Sequence, residues 1–192
     1  VSDPAPVHVV GFGGTRSPGS TTVVALEHVL VTARSLGATS ELFDAGTLDI
    51  PMYDWGAKPT PEIERLARTF HAADALVWAS PLYHGTVSGL FKNAVDWLEV
   101  LADASPPYLT DKPVGLIGVA GGAQALQAIT SMEQIVRSLR GWAVPLVVPI
   151  NRASDAFDRS AASVRDLRVA GQLDALAREV VRAGRMFRGA RS

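Results

Sequence analysis

ALVWASPLYHGTVSGLFKNAVDWLEVL, residues 75–101, is the stretch that decides how this chain folds. Its first five residues, Ala75–Ala79, are apolar throughout, the pattern of a parallel strand covered by helices on both faces. SPLYHGTVSG then interrupts the run with Pro81, Gly85 and Gly89, and a helix near Leu90–Leu101 follows, with Leu90, Phe91, Ala94, Val95, Leu98 and Leu101 on one side. Strand, loop and amphipathic helix make one βα unit.

The same unit recurs in both directions. Upstream, Val7–Phe12 reads as a strand ending in glycines, and Ser20–Leu36 as a helix stopped by Gly37. Thr39–Phe43 is a second strand; Pro61, behind the cap Thr60, suits the first turn of a helix over Glu62–Ala73. Downstream come a strand at Val114–Val119, a helix at about Ala123–Leu139, a strand at Ala143–Val148 and a last helix at about Val164–Phe187. Residues 102–112 and 149–163 read as loops. Five strands alternating with helices, without internal repeats, predict a three-layer α/β sandwich. The length, 192 residues, fits one domain spanning residues 1–192.

Composition narrows the chemistry. Lys and Arg number 18 against 19 Asp and Glu, so the chain lacks the cationic surplus that nucleic-acid binding demands. With no cysteine, disulfides, thiolate zinc sites, cysteine nucleophiles and Fe–S clusters are excluded together. The four histidines, His8, His28, His71 and His84, show no metal or catalytic-relay spacing, and His8 reads as an ordinary strand histidine. The longest apolar run, around Val114–Ala120, is strand-sized and far short of the roughly 20 residues of a membrane span. VSDPAPVHVV lacks the basic and small-residue pattern of a secretory signal, and a cytoplasmic chain is expected, although it starts without Met.

In a doubly wound sheet the ligand lies beyond the carboxyl ends of the strands, where strand order reverses. Three unusual loops fall there: GFGGTRSPGSTT after the first strand, SPLYHG after the third, AGGAQ after the fourth. The first offers Thr15, Arg16, Ser17, Ser20, Thr21 and Thr22 at a helix N-terminus, groups suited to a phosphate dianion. It matches neither the dinucleotide fingerprint, which meets Arg16 where its third glycine belongs, nor the nucleotide P-loop, since the chain has no Gly-Lys pair. Those glycines serve either a phosphate or a tight turn alone. Tyr83 and His84 either pack their loop or cover a flat ring that lies along the adjoining backbone. A phosphate pocket beside a planar platform describes FMN better than ATP.

SPLYHGTVSGLFKNAVDWL resembles the signature of the NADPH-dependent FMN reductase family, retaining Pro81, Tyr83, Gly89, Lys92, Asn93, Asp96 and Trp97. It departs in the spacing of its small residues, Tyr83-His84-Gly85-Thr86-Val87-Ser88-Gly89, and relatives often carry the loop arginine one residue later than Arg16. The resemblance covers roughly residues 7–150. It implies a flavodoxin-like fold with a five-stranded parallel sheet in the order 2-1-3-4-5 and helices on both faces. It also implies an FMN-dependent oxidoreductase with NADPH or NADH as hydride donor. Pro81, Leu82, Tyr83, His84 and Gly85 would line the isoalloxazine, with Gly121, Gly122 and Gln124 at its other edge. No side chain need act as acid or base, because the flavin carries the redox chemistry.

The resemblance further implies a homodimer or homotetramer built on the 90–98 helix, a small-molecule acceptor, and no nucleic acid or membrane partner. The acceptor is free FMN, with reduced flavin passed to a monooxygenase, or else a quinone, azo dye, chromate, ferric chelate or specialised metabolite. A flavodoxin-like electron carrier or adaptor is the non-enzymatic reading, against which a net charge of -1 argues. Arg178, Arg182, Arg185 and Arg188, with Arg191 beyond, read first as a solvated face suited to the negative end of a helix, and second as a contact for the 2′-phosphate of NADPH. Trp55, in MYDWG, either borders a site in an oligomer or anchors its own loop.

Overall fold

Five strands of the computed structural model, which describes residues 5–17 and 19–191, form a sheet of order β2-β1-β3-β4-β5. These are β1 (His8–Gly13), β2 (Thr39–Asp44), β3 (Ala75–Pro81), β4 (Pro113–Val119) and β5 (Trp142–Ile150), and every neighbouring pair is parallel. Helix α1 (Thr21–Ser35) and the last helix pack on one face; α2 (Pro61–Ala72), α3 (Gly89–Asp96) and α4 (Leu126–Ser138) pack on the other. This is the expected flavodoxin-like three-layer sandwich.

Period-two alternation sorts the strand residues between the faces. Ala75, Val77 and Ala79 of β3 point to the α1 side, Leu76 and Trp78 to the other. The first face is small enough for close helix approach: a Cβ on Gly115 would sit 2.6 Å from Val180 of the last helix. The opposite face carries a contiguous aromatic cluster, with Phe12 5.5 Å from Phe70 and 5.1 Å from Phe91, and Trp78 edge-on to Phe91.

Five sequence-based expectations differ from the structure. The helix expected at Leu90–Leu101 is α-helical only to Asp96 and tightens into a 3-10 turn over Trp97–Leu101. The fourth helix begins at Leu126, not Ala123, because the Ala125 N–H is held by Asn151 Oδ1 at 2.9 Å. β5 reaches Trp142–Ile150 and tolerates Pro145, being an edge strand whose pairing with β4 shifts register between Val114 and Leu116. Residues 149–163, expected as loop, contain α5 (Ala153–Ala156) and two-residue strands β6 (Phe157–Asp158) and β7 (Ser163–Val164). The last helix, α6, spans Leu167–Arg191; Val164 falls in β7 instead, and Asp166 Oδ1 caps the helix by accepting from Arg168 and Val169. Residues 1–4, Pro18 and Ser192, and with them the outer limits of the expected 1–192 domain, lie outside the described residues. Among the described residues no helix is long and apolar enough to cross a membrane.

Candidate functional site

β1 and β3 are neighbours although β2 lies between them in sequence, so the chain reverses direction across the sheet at this pair. The loops after β1, β3 and β4 therefore converge at one edge.

The loop after β1 borders a cleft of about 310 Å³ lined by Thr15, Arg16, Ser17, Gly19 and Ser20, together with Asp44, the last residue of β2, and Gly46 and Thr47 from the loop after it. Ser20 gives the cleft its character. It occupies the cap position of α1, yet its side chain makes no capping bond; it is 8% exposed, and its Oγ has no hydrogen-bond partner. An unpaired buried hydroxyl costs roughly 1–3 kcal/mol, which a ligand oxygen would offset. The first-turn N–H groups of α1 have no intrahelical acceptor, and that turn contains no acidic residue. Thr15 Oγ1 accepts the Ser17 N–H at 3.2 Å, which curves the loop, and Arg16 is exposed at the rim. Thr21 and Thr22 do not border the cleft, and Thr22 is buried at 2% exposure.

The loop after β3 is a tight reversal. Tyr83 and Thr86 exchange both backbone hydrogen bonds, at 3.0 and 3.2 Å, and the central residues have positive φ, 49° at His84 and 89° at Gly85. That is a type I′ turn, for which Gly at the second central position carries no steric cost. Pro81 is buried at the strand end, Leu82 is half-buried and ties its N–H to Val119 O, and Tyr83, half exposed, stands out beside His84. The turn is braced on α4: Thr86 Oγ1 donates to Ser131 Oγ at 3.1 Å, and a Cβ on Gly85 would lie 3.8 Å from Gln127 Oε1. Gly121, Gly122 and Gln124, after β4, are exposed, and a Cβ on either glycine would meet open space.

Sequence reasoning passed over Asp44, Gly46 and Thr47, although β2 lies next to β1 in the order it assigned and ends at the same edge. It also passed over Gln127 and over Asn151, whose signal is its place immediately after β5.

A protein-family description, NADPH-dependent FMN reductase, matches residues 7–155. The chain belongs to this family. Among relatives, an FMN-dependent NADPH-azoreductase of Staphylococcus haemolyticus is 37% identical over 119 residues, covering 54% of this chain and 60% of that protein. The counterpart in Staphylococcus aureus strain USA300 is 36% identical over 113 residues, covering 55% and 56%. The chain thus spans little more than half the length of these relatives. The solved structure of FerB, a flavoenzyme NAD(P)H:(acceptor) oxidoreductase from Paracoccus denitrificans, superposes with a TM-score of 0.71 at 21% identity, covering 92% of this chain and 98% of that one.

The signature residues of this FMN reductase family member have visible structural duties. Asn93, 8% exposed, accepts the Tyr53 N–H at 2.7 Å and donates to Pro51 O at 2.9 Å; the Trp97 indole donates to the same carbonyl. Tyr53 packs edge-on against Trp97, and burial, then Glu99, Asp96 and Asp54, raise its phenol above the usual value. The loop so held presents Met52 and Trp55, each 79% exposed. Lys92 and Asp96 form a surface pair at 2.6 Å.

Three of the arginines of α6 are engaged rather than arrayed as one free stripe. Arg182 pairs with Glu179, Arg185 reaches Leu36 O, and Arg188 pairs with Asp74 and donates to the carbonyls of Ala5 and Pro6. The Asp74 carboxylate raises the Arg188 guanidinium further above its usual range. The Arg191 side chain lies outside the described residues.

Proposed function

We propose that this chain is an FMN-dependent NAD(P)H oxidoreductase acting on a small-molecule acceptor, with the FMN phosphate in the cleft at the start of α1. The observation that carries the proposal is Ser20: a buried, unpartnered hydroxyl at the cap position of a helix whose first turn is free of acids, bordering the cleft, in a member of an FMN reductase family. FMN, when bound, would supply the redox chemistry, two-electron transfer between NADPH or NADH and the acceptor. Thr15, Arg16, Ser17 and Ser20 would hold the phosphate from the cleft. Thr21 and Thr22 would contribute their backbone amides, since their side chains do not border it. Pro81, Leu82, Tyr83, His84 and Gly85 would support the ring from one side, and Gly121, Gly122 and Gln124 from the other, where backbone N–H groups suit the anionic reduced ring.

The ring side is open: Tyr83 is half exposed, and His84, Gly85, Gly121, Gly122 and Gln124 are exposed. An open face gives a bulky or varied acceptor access in turn with the nicotinamide, which favours exchange at one face. Self-association as a homodimer or homotetramer is supported by Met52 and Trp55, large apolar side chains held outward on an anchored loop. A reductase drawing on NADPH belongs in the cytoplasm, where that donor is kept reduced, and a monooxygenase is one consumer of reduced flavin released there.

The test is NADPH oxidation by flavin-stripped protein, with FMN and acceptor supplied separately and together. Oxidation that requires FMN supports the assignment. Saturation of the rate at one FMN per chain, with a quinone or azo dye consumed, marks a resident cofactor; a rate that follows free FMN marks FMN as substrate. NADPH and NADH oxidation indifferent to FMN contradicts the proposal.

A further inference from the structure

We infer that Asp44, the last residue of β2, and Gly46, on the loop after it, are positioning residues that fix the shape of the phosphate cleft from behind. The inference rests on the reading of that cleft as the FMN phosphate site.

A Cβ on Gly46 would lie 2.2 Å from Thr15 O, 2.7 Å from Thr15 C and 3.1 Å from Arg16 N. Those are backbone atoms, so the loop after β2 presses directly on the peptide joining residues 15 and 16. The φ of Gly46 is not in the positive region, so alanine is excluded there by space alone. The fit is reciprocal: a Cβ on Gly14 would lie 2.3 Å from Asp44 Oδ1, the oxygen that accepts the Gly46 N–H at 2.8 Å. Below this contact, Ala45 N donates to Gly13 O at 2.8 Å, and Asp44 pairs in register with Gly13. Two glycines and one carboxylate therefore interlock the loops, and the peptide carrying Thr15 and Arg16 cannot retreat toward β2.

Asp44 and Gly46 also line the cleft itself. A carboxylate in a cleft for an anion repels the ligand, so the contribution of Asp44 lies in its acceptor oxygen and not in its charge. Asparagine preserves that oxygen without the repulsion; alanine removes both.

The experiment is fluorescence titration of the flavin-stripped full chain with FMN and, separately, with riboflavin, which carries the same ring without the phosphate. Wild-type protein should prefer FMN. Gly46→Ala should bind FMN about tenfold more weakly, the effect of losing one charge-assisted hydrogen bond to a displaced loop, with riboflavin affinity unchanged. Asp44→Ala should likewise lose FMN affinity selectively, whereas Asp44→Asn should hold FMN at least as tightly as wild type. Where Gly46→Ala fails to fold, the two Asp44 variants decide. Variants that keep the full preference for FMN, or that lose FMN and riboflavin equally, overturn the inference while leaving the phosphate reading intact. A wild-type chain without preference for FMN over riboflavin overturns the phosphate reading and the inference together.

Discussion

Ser20 is a side chain that the folded protein leaves unsatisfied. Because its hydroxyl makes no hydrogen bond and is buried, Ser20→Ala should leave the melting temperature of the flavin-free protein unchanged or slightly raised. The same change should weaken FMN binding by about 1.5–3 kcal/mol, the worth of one hydrogen bond to a charged acceptor. Parallel thermal melts and FMN titrations check both halves, and a variant that loses stability without losing FMN would show Ser20 to be structural. The hydroxyl-rich loop stood out in the sequence as a candidate phosphate binder because of its composition. Which hydroxyl faces the cleft was not readable: that depends on where α1 begins, and a start at Thr21 turns Thr22 into the core. Asp44 and Gly46 escaped notice because their role is a contact between loops far apart in sequence, without a motif of their own.

The element that the signature builds is α3 with its 3-10 extension, and its polar residues hold the 51–53 segment rather than touching the loops at the sheet edge. Asn93→Ala would take the acceptor from the half-buried Tyr53 N–H, while the Pro51 carbonyl keeps the Trp97 indole, and should cost about 1 kcal/mol, read as a lower urea midpoint at unchanged slope. On the other face, α1 and α6 are joined by Asp174, which accepts from Thr32 Oγ1 at 2.7 Å and meets His28 Nε2 at 2.9 Å. The Thr32 hydrogen bond, with support from His28 and Arg178 against the opposing effect of burial, holds the carboxyl below its ordinary value of 3.8. A depressed folded value means that this stabilisation is complete above the unfolded value and is lost as pH falls through the folded one. Asp174→Asn should therefore show a shallower fall in melting temperature below about pH 4 than the wild type, with the curves parallel near neutrality. The α6 cap at Asp166 was visible in principle as an acid just before a helical run. The hydrophobic pattern instead drew the boundary back to Val164, a residue buried enough by its ribbon to mimic a helix position.

The layered architecture followed from alternation of strands and helices, while the parallel order β2-β1-β3-β4-β5, which is the one found, was implied by the family resemblance. What alternation cannot show is the difference between the two faces, close-packed against α1 and α6 and aromatic against α2, α3 and α4, since that emerges only when strands are laid side by side. The same side-by-side placement brings the loops after β1, β3 and β4 to one edge, where Tyr83, His84, Gly121 and Gly122 are exposed. The measurement that tests the account most directly is an anaerobic absorbance spectrum of the FMN-loaded protein, free flavin removed, before and after addition of NADPH. The account predicts a flavin band retained with the protein and bleached by NADPH; a protein that holds no flavin, or whose flavin band neither NADPH nor NADH diminishes, would contradict it.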